Sequence, residues 1–290
     1  TDGSEVPCQE EQPESLLPFN NWRRRISFVD GLPGVGVSRY FLEAVEIPRS
    51  EQERGPVPGL HVPIPVPAPP VPASRLDPRS GLIGALAGFA RFPAGPLFEP
   101  LVIEDTADSW GAGRGSYRKL VGRFKPSGRP FILERGPVRT ITRSVRSYGA
   151  NRIVMDAVSY PSWPVIEIRF RVIWNETRCR LKLRVPTSLV SASLLGEIPG
   201  GAIRRPEDGE EHVHGRWLVI EGRRAALGIA SSGQHGLDFK DGELRLSVLR
   251  SSAYCHEKGF DLDKGSLKTG TGTFGTCPQW KFADIGVHEF

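Results

Sequence analysis

Residues 166–185 read IEIRFRVIWNETRCRLKLRV, and this stretch decides the fold class. Ile166, Ile168, Phe170, Val172 and Trp174 alternate with Glu167, Arg169 and Arg171. Cys179, Leu181, Leu183 and Val185 then alternate with Arg180, Lys182 and Arg184. A period of two sends successive side chains to opposite faces, so each run reads as a strand with one apolar face. The polar turn Asn175-Glu176-Thr177-Arg178 between them predicts an antiparallel hairpin. Its second face, carrying Arg169, Arg171, Arg180, Lys182 and Arg184, reads as a solvated sheet surface with edge-protecting charge. Few aromatic residues are interleaved there, so stacking of nucleic-acid bases is not suggested.

Further strands are expected at 137–143, 152–158, 216–221, 226–231 and 243–250. Gly81 to Ala90 is apolar enough for a helix, but Gly81, Gly84 and Gly88 argue against one. Gly (33) and Pro (26) make up about a fifth of the 290 residues, which disfavours a helix bundle or coiled coil. Many short strands punctuated by Gly and Pro indicate an all-β, antiparallel β-sandwich. Residues 1–15 read as a disordered or extended lead-in, 16–73 as a small β segment, and 74–290 as the large sandwich domain. Within the second segment, the nearly alternating prolines from Pro63 to Pro72 mark a Pro-rich arm at 48–73.

The formal charge is +5, a mild excess that permits an anionic partner without demanding one. No run approaches 18 apolar residues, so no transmembrane helix and no membrane partner is expected. The longest basic run is Arg23-Arg24-Arg25, and no nucleic-acid partner is expected either. The four cysteines, Cys8, Cys179, Cys255 and Cys277, lack C-x-x-C spacing, which argues against zinc-ribbon and thioredoxin-type sites. Cys255 and Cys277 either pair across a Gly-rich loop or stay as thiols. The chain opens at Thr1 and its single methionine is Met155. The expectation is a chain cut from a longer polypeptide.

Few motifs carry chemistry. Gly270 to Gly275 fits G-x-G-x-x-G but is followed at once by Cys277-Pro278, where a dinucleotide site needs a helix N-terminus, so it reads as a loop. His212 and His214, with Glu210 on the same parity, have the alternation of a strand-borne metal site. Their acidic neighbours and Gly209 favour an exposed turn edge instead, and no metal site is assigned. Arg250 stands out. It falls on the apolar parity of Leu244, Leu246 and Val248, yet it is always charged. Either the strand has ended there, or the guanidinium reaches into a polar cleft at the sheet rim, where its planar donors suit sugar hydroxyls or carboxylates.

In sequence order, a series of short segments resembles the region that follows the catalytic domain in glycoside hydrolase family 38, the retaining α-mannosidases. The segments begin with Pro18-Phe-Asn-Asn-Trp22-Arg23, Leu32-Pro-Gly34-Val-Gly36, Ser80-Gly81-Leu-Ile and Glu104-Asp105-Thr-Ala-Asp108-Ser-Trp110-Gly111. Glu134-Arg-Gly136-Pro137-Val-Arg139, Val172-Ile-Trp174-Asn175-Glu176 and Lys182 follow. The series ends with Glu197-Ile-Pro199-Gly, Arg205-Pro206, Arg216-Trp217, Leu249-Arg250-Ser251 and Asp284-Ile-Gly286-Val-His288-Glu-Phe290. The likeness covers roughly residues 16–290; each motif is weak alone, and their shared order carries the match.

The resemblance implies a galactose-mutarotase-like supersandwich packed against a catalytic α/β domain. It implies that zinc and the aspartate nucleophile belong to that earlier domain, with no counterpart of the ligands here. No catalytic residue, metal ligand or cofactor is therefore expected in this chain, and the acid/base pair of retaining hydrolysis cannot be placed on it. The expected partners are the catalytic α/β domain or chain of the same enzyme and mannose-containing glycans. The family's arginine that approaches the sugar pocket from the β-rich side matches Arg250. Asp105, Asp108 and Trp110 are the accompanying substrate-binding candidates. The competing reading is a stand-alone carbohydrate-binding or scaffolding module.

Overall fold

The computed structural model describes residues 4–11, 25–43, 74–86, 94–107, 115–189, 191–252, 260–261, 266–267 and 282–290. Every regular element among them is a strand. The chain begins with β1 (Cys8–Glu10), β2 (Ile26–Phe28), β3 (Ser74–Leu76), β4 (Ile83–Leu86), β5 (Glu99–Glu104), β6 (Leu120–Arg123), β7 (Lys125–Pro126) and β8 (Phe131–Arg135). The long strands follow: β9 (Thr140–Tyr148), β10 (Asn151–Tyr160), β11 (Trp163–Trp174) and β12 (Cys179–Pro186). Then come β13 (Ser193–Ile198), β14 (Gly201–Arg205), β15 (His212–Val213), β16 (Trp217–Glu221), β17 (Ala226–Ala230), β18 (Gly236–Lys240) and β19 (Glu243–Arg250). The last are β20 (Phe260–Asp261), β21 (Ser266–Leu267) and β22 (Gly286–Glu289). The expected strands at 152–158, 216–221, 226–231 and 243–250 are β10, β16, β17 and β19. The one expected at 137–143 starts at Thr140 and runs to Tyr148, because Pro137 precedes it and cannot donate to a ladder.

One six-stranded sheet has the order β22-β11-β10-β9-β7, with β8 also on β9; a second runs β15-β18-β19-β12-β5-β6. A four-stranded sheet runs β14-β13-β16-β17. The pairings whose registers are resolved, from β5·β6 to β18·β19, are antiparallel. The chain is all-β with antiparallel sheets, as a β-sandwich requires. Residues cluster into two units, one of 1–74, 131–143 and 156–168, the other of 75–130, 144–155 and 169–290.

The predicted hairpin at 166–185 is not formed. β11 lies in the first sheet between β10 and β22, whereas β12 lies in the second between β5 and β19. The turn residues between them are real, but they carry the chain from one sheet to the other. Arg178 takes a positive φ of 55°, and its N–H donates to the carbonyl of Ser251 at 2.8 Å. Asn175 N–H donates to Asn151 Oδ1 at 2.6 Å, anchoring the departure point. Alternation fixes that a segment is a strand; it carries no information about which strand pairs with it.

β12 is buried along almost its whole length. Its registers sort the second sheet into two faces. On one, Leu181, Leu183 and Val185 stand opposite Leu249, Leu246 and Leu244, and Leu181 also faces Val102. Leu237 and Phe239 extend the same apolar layer beside Leu246 and Leu244. All of these side chains are buried. The other face carries Arg180, Lys182 and Arg184, with Arg250, Ser247 and Arg245 opposite them. This corrects the solvated reading of the arginine stripe for its second half. Arg169 and Arg171 are exposed, but Arg180 and Lys182 are buried, Lys182 completely. The reason is position: β12 is central in its sheet, and the side chains of Tyr117 and Glu211 cover its charged face.

The unit containing the N-terminal residues has its own polar cluster. β1 pairs with β2, and Gln9 Oε1 accepts the N–H groups of Val138 and Arg139 at 3.2 and 3.0 Å. Arg139 is buried and spans Glu134 and Glu11, at 3.0 and 2.9 Å. A Cβ on Gly136 would strike the Gln9 side chain, so this close approach requires glycine.

Candidate functional site

The charged face of β12 is a continuous network of ion pairs. At one end Arg184 spans Glu99 at 3.4 Å and Glu243 at 2.5 Å. Glu243 also accepts from Arg245 at 2.7 Å and from Arg118 at 3.5 Å. Arg118 pairs with Asp238, whose other oxygen takes Lys182 Nζ at 2.5 Å. Lys182 bonds Glu211 Oε2 at 2.5 Å, and Glu211 Oε1 takes Arg180 at 2.9 Å. Arg180 Nε then donates to Asp105 Oδ2 at 2.6 Å. The network ends at the rim, where Arg250 Nε donates to the same Asp105 oxygen at 2.6 Å. Every buried charge on this path has an opposite charge within hydrogen-bonding reach, the condition for charge to persist without water.

The sequence supplies this geometry through one irregularity. The ladder between β12 and β19 pairs Lys182 with Ser247 and Leu181 with Leu249, so Val248 is an extra residue. A bulge of one residue reverses the alternation beyond it. Leu244 and Leu246 face the apolar side before the bulge and Leu249 after it. Arg250 therefore joins the charged side, opposite Arg180. Its parity anomaly is a β-bulge: Arg250 is the last residue of the strand and still pairs with Arg180.

Arg250 is partly accessible, with 23 % of its side chain open against 24 % for Arg184 at the other end, whereas Asp105 has none. Its backbone N–H donates to Asp284 Oδ2 at 2.8 Å, and Asp105 also accepts the N–H of Ala107 at 3.1 Å. The Tyr117 ring lies under the guanidinium of Arg180 at 3.5 Å and 6.0 Å from that of Arg250. Cation–π contact of this kind holds a guanidinium plane in place. Tyr117 packs with Leu101 and Ile103 into a small apolar lid over this end. Its hydroxyl is buried and has no partner among the described residues.

The titrations follow the surroundings. Burial pushes the carboxyl of Asp238 above its ordinary range, although Lys182 and Arg118 pull the other way. Burial also acts upward on Glu243, but hydrogen bonds from Arg184 and Arg245 outweigh it and hold its carboxyl below the usual range. On the apolar side, burial first and the nearby Glu176 second push the Cys179 thiol up to about 11.

Of the four expected substrate-binding residues, the structure brings Arg250 and Asp105 together. Asp108 and Trp110 lie outside the described residues, as do Cys255, Cys277, the Gly270–Gly275 string and the prolines of 48–73. Arg180, Lys182, Glu211, Asp238 and Tyr117 were missed as members of the site. Their signal was partly present: β12 carries three cations on one parity, and β19 carries Glu243 and Arg245 on the parity that meets it.

Among the described residues the histidines do not gather into a metal centre. His212 Nε2 is engaged by Asp208 at 3.0 Å, while His214 is buried. Among the described residues no group of three His, Cys, Asp or Glu side chains is placed to hold a metal ion, so these donors do not fit a zinc site. Among them, too, no helix is long and apolar enough to cross a membrane.

The residues that bear the family resemblance are, in several cases, each other's partners. Trp174 Nε1 donates to Ser251 Oγ at 3.1 Å. Glu197 Oε2 accepts the backbone N–H groups of Arg216 and Trp217. Phe290, which also bears the resemblance, stacks on Phe170 of β11, with ring centroids 5.3 Å apart. A family model described as the glycosyl hydrolases family 38 C-terminal domain matches residues 103–257. The chain belongs to this family. Comparison with individual curated proteins gives no match. The part matched as the family 38 C-terminal domain holds Asp105, Tyr117, Arg180, Lys182, Glu211, Asp238 and Arg250. It therefore contains the rim end of the network and its buried centre.

Proposed function

We propose that this chain is the non-catalytic β-sandwich portion of a zinc-dependent retaining α-mannosidase. In the complete enzyme it meets the catalytic α/β domain and presents Arg250 to the sugar. The observation that carries this reading is the mounting of Arg250. Its guanidinium is fixed on Asp105 at 2.6 Å and partly open to solvent, at one end of a network whose centre is buried. A pre-positioned arginine loses little freedom on binding and offers planar donors to vicinal hydroxyls.

Asp105 has no accessible surface and already serves Arg180, Arg250 and the Ala107 N–H. Its proposed role is accordingly to position Arg250. Asp108 and Trp110 remain proposed sugar contacts, three and five residues along the chain from Asp105. The supersandwich architecture is part of the same proposal, supported by the family match and the antiparallel sheets.

The test is an α-mannosidase assay of the purified chain, alone and combined with the catalytic domain of the same enzyme, with zinc supplied. Activity only in the combination supports the reading. Robust zinc-dependent hydrolysis by the chain alone, free of contaminating enzyme, would falsify the non-catalytic assignment. Saturable mannobiose binding by the chain alone, followed by tryptophan fluorescence, together with no gain of activity in the combination, would favour a stand-alone binding module.

A further inference from the structure

We propose that residues 208–215 form an acid-sensitive latch on the charged sheet face. Proton uptake at His214 releases the segment, and with it the hold of Glu211 on Arg180 and Lys182. The inference stands whether or not Arg250 touches sugar.

His214 is 6 % exposed, and neither ring nitrogen has a hydrogen-bond partner among the described residues. It packs beside β13 at Gly196, where a Cβ would make ordinary contact, 3.4 Å from His214 Cβ and 3.9 Å from Arg205 Nε. The groups facing the ring are mostly basic. Arg205 on β14 is one; it donates to Val213 O through Nη2, and its Nε is buried without a partner among the described residues. His235, on the turn before β18, lies with its ring centroid 6.3 Å away. Glu197 on β13 is the facing carboxylate, and its Oε2 already accepts the N–H groups of Arg216 and Trp217. A neutral imidazole is tolerated in this setting. An imidazolium would be desolvated and stand beside an arginine, with only the Gly215 backbone and the already engaged Glu197 carboxylate favouring it. Burial first, and the charge on His235 second, hold the ring below its ordinary value of 6.5.

Glu211 is held by Lys182, Arg180 and Ser247, and Arg205 donates to Val213 O; Gly209 N–H donates to Phe239 O and Ser116 Oγ to Gly209 O, each at 3.0 Å. Glu211 N–H donates to Gly115 O at 2.6 Å, His214 N–H to His235 O at 2.9 Å, and Gly215 N–H to Glu197 O at 2.8 Å. The two residues of β15 pair with Leu237 and Gly236 of β18. Glu211 lies three residues before His214, so opening that frees the ring also draws its carboxylate from Lys182 and Arg180. Within the segment, His212 Nε2 also pairs with Asp208 at 3.0 Å. That pair is largely solvated and correspondingly weak.

The released ring takes a proton at its ordinary value, while the closed ring resists. Opening is therefore favoured as the pH falls below about 6.5, by at most about tenfold per pH unit for one proton, and levels off once the closed ring also titrates. Well above 6.5 both states are neutral and the closed segment has no dependence on this group.

The experiment is amide hydrogen exchange on the full chain, corrected for intrinsic rates, at pH 7.5, 6.5 and 5.5. Protection at Glu211 and His214 should fall by no more than about twofold from 7.5 to 6.5 and by up to about fivefold from 6.5 to 5.5. The Leu183 amide on β12 should keep its protection. His214→Phe should abolish the pH dependence. In the unsubstituted chain, which needs no variant to fold, the His214 ring resonance should titrate below 6.5. Protection at Glu211 that does not change with pH, the same dependence in His214→Phe, or a ring that titrates at or above 6.5 would each overturn the proposal.

Discussion

Arg250 and Arg180 donate through their Nε atoms to one and the same oxygen, Oδ2 of Asp105, each at 2.6 Å. Two guanidinium groups opposite each other in the β12–β19 ladder would repel. A fully buried carboxylate between them turns repulsion into a bridge. The rim arginine thereby becomes a continuation of the sheet's interior.

Replacing Asp105 with Asn removes the charge from that bridge while keeping its shape. Arg180, itself buried, is left with Glu211 alone among the anions of the network described above. Breaking a buried ion pair from one side typically costs about 3–5 kcal/mol. Urea unfolding at pH 7 should show a loss of that order with an unchanged dependence on denaturant concentration. A loss below about 1 kcal/mol would mean that solvent already screens the pair.

Glu243 gives the network an acid limit. Arg184 and Arg245 hold its carboxyl below the ordinary value of 4.5 against the upward push of burial. A carboxyl depressed in the folded state stabilises fully above its unfolded value. That contribution drains away as pH falls through the folded one. Asp238 is shifted upward by burial and has the opposite slope. The difference between the native chain and Glu243→Gln isolates the first effect. Below pH 4.5 the native chain should lose stability more steeply than the variant; parallel pH curves would refute the assignment.

Cys179 and Cys8 carry thiols in opposite settings, the first buried and the second exposed. With its thiol pushed up to about 11, Cys179 holds almost no thiolate at pH 8 and little path for a reagent. Iodoacetamide at pH 8 should label Cys8 in the folded chain and reach Cys179 only after denaturant is added, as read by peptide mass spectrometry. Labelling of both at similar rates would contradict the packing of β12.

Strands were legible in the sequence because alternation is a local property. Partners were not. Residues 166–185 show both facts at once: two strands where alternation puts them, in two different sheets. Arg180 and Lys182 misled for the same reason, since a charge on a strand's second face looks solvated until that face is known to be covered. Their counter-charges, Asp105, Glu211 and Asp238, lie between 29 and 75 residues away in sequence. Arg250 was the exception. Its wrong parity was visible as an anomaly, and the cause was a single inserted residue, Val248, which no local pattern distinguishes from the rest of an apolar strand. Asp105 was found through the family resemblance, not through its own surroundings. The buried, unpartnered state of His214 had no signal beyond a histidine near a turn.

The central claim is that Arg250, held by Asp105, acts on the sugar in the complete enzyme. The most direct measurement is kcat/KM for a simple aryl α-mannoside, comparing Arg250→Ala and Arg250→Lys with the unchanged chain. Each chain is combined with the catalytic domain, and each is shown by thermal unfolding to be folded. Losing a hydrogen bond from a charged group corresponds to about 1.5–3 kcal/mol, or roughly 10- to 100-fold. The account predicts a loss in that range for Arg250→Ala and a smaller one for Arg250→Lys. Unchanged kcat/KM in a folded, fully assembled Arg250→Ala enzyme would contradict it.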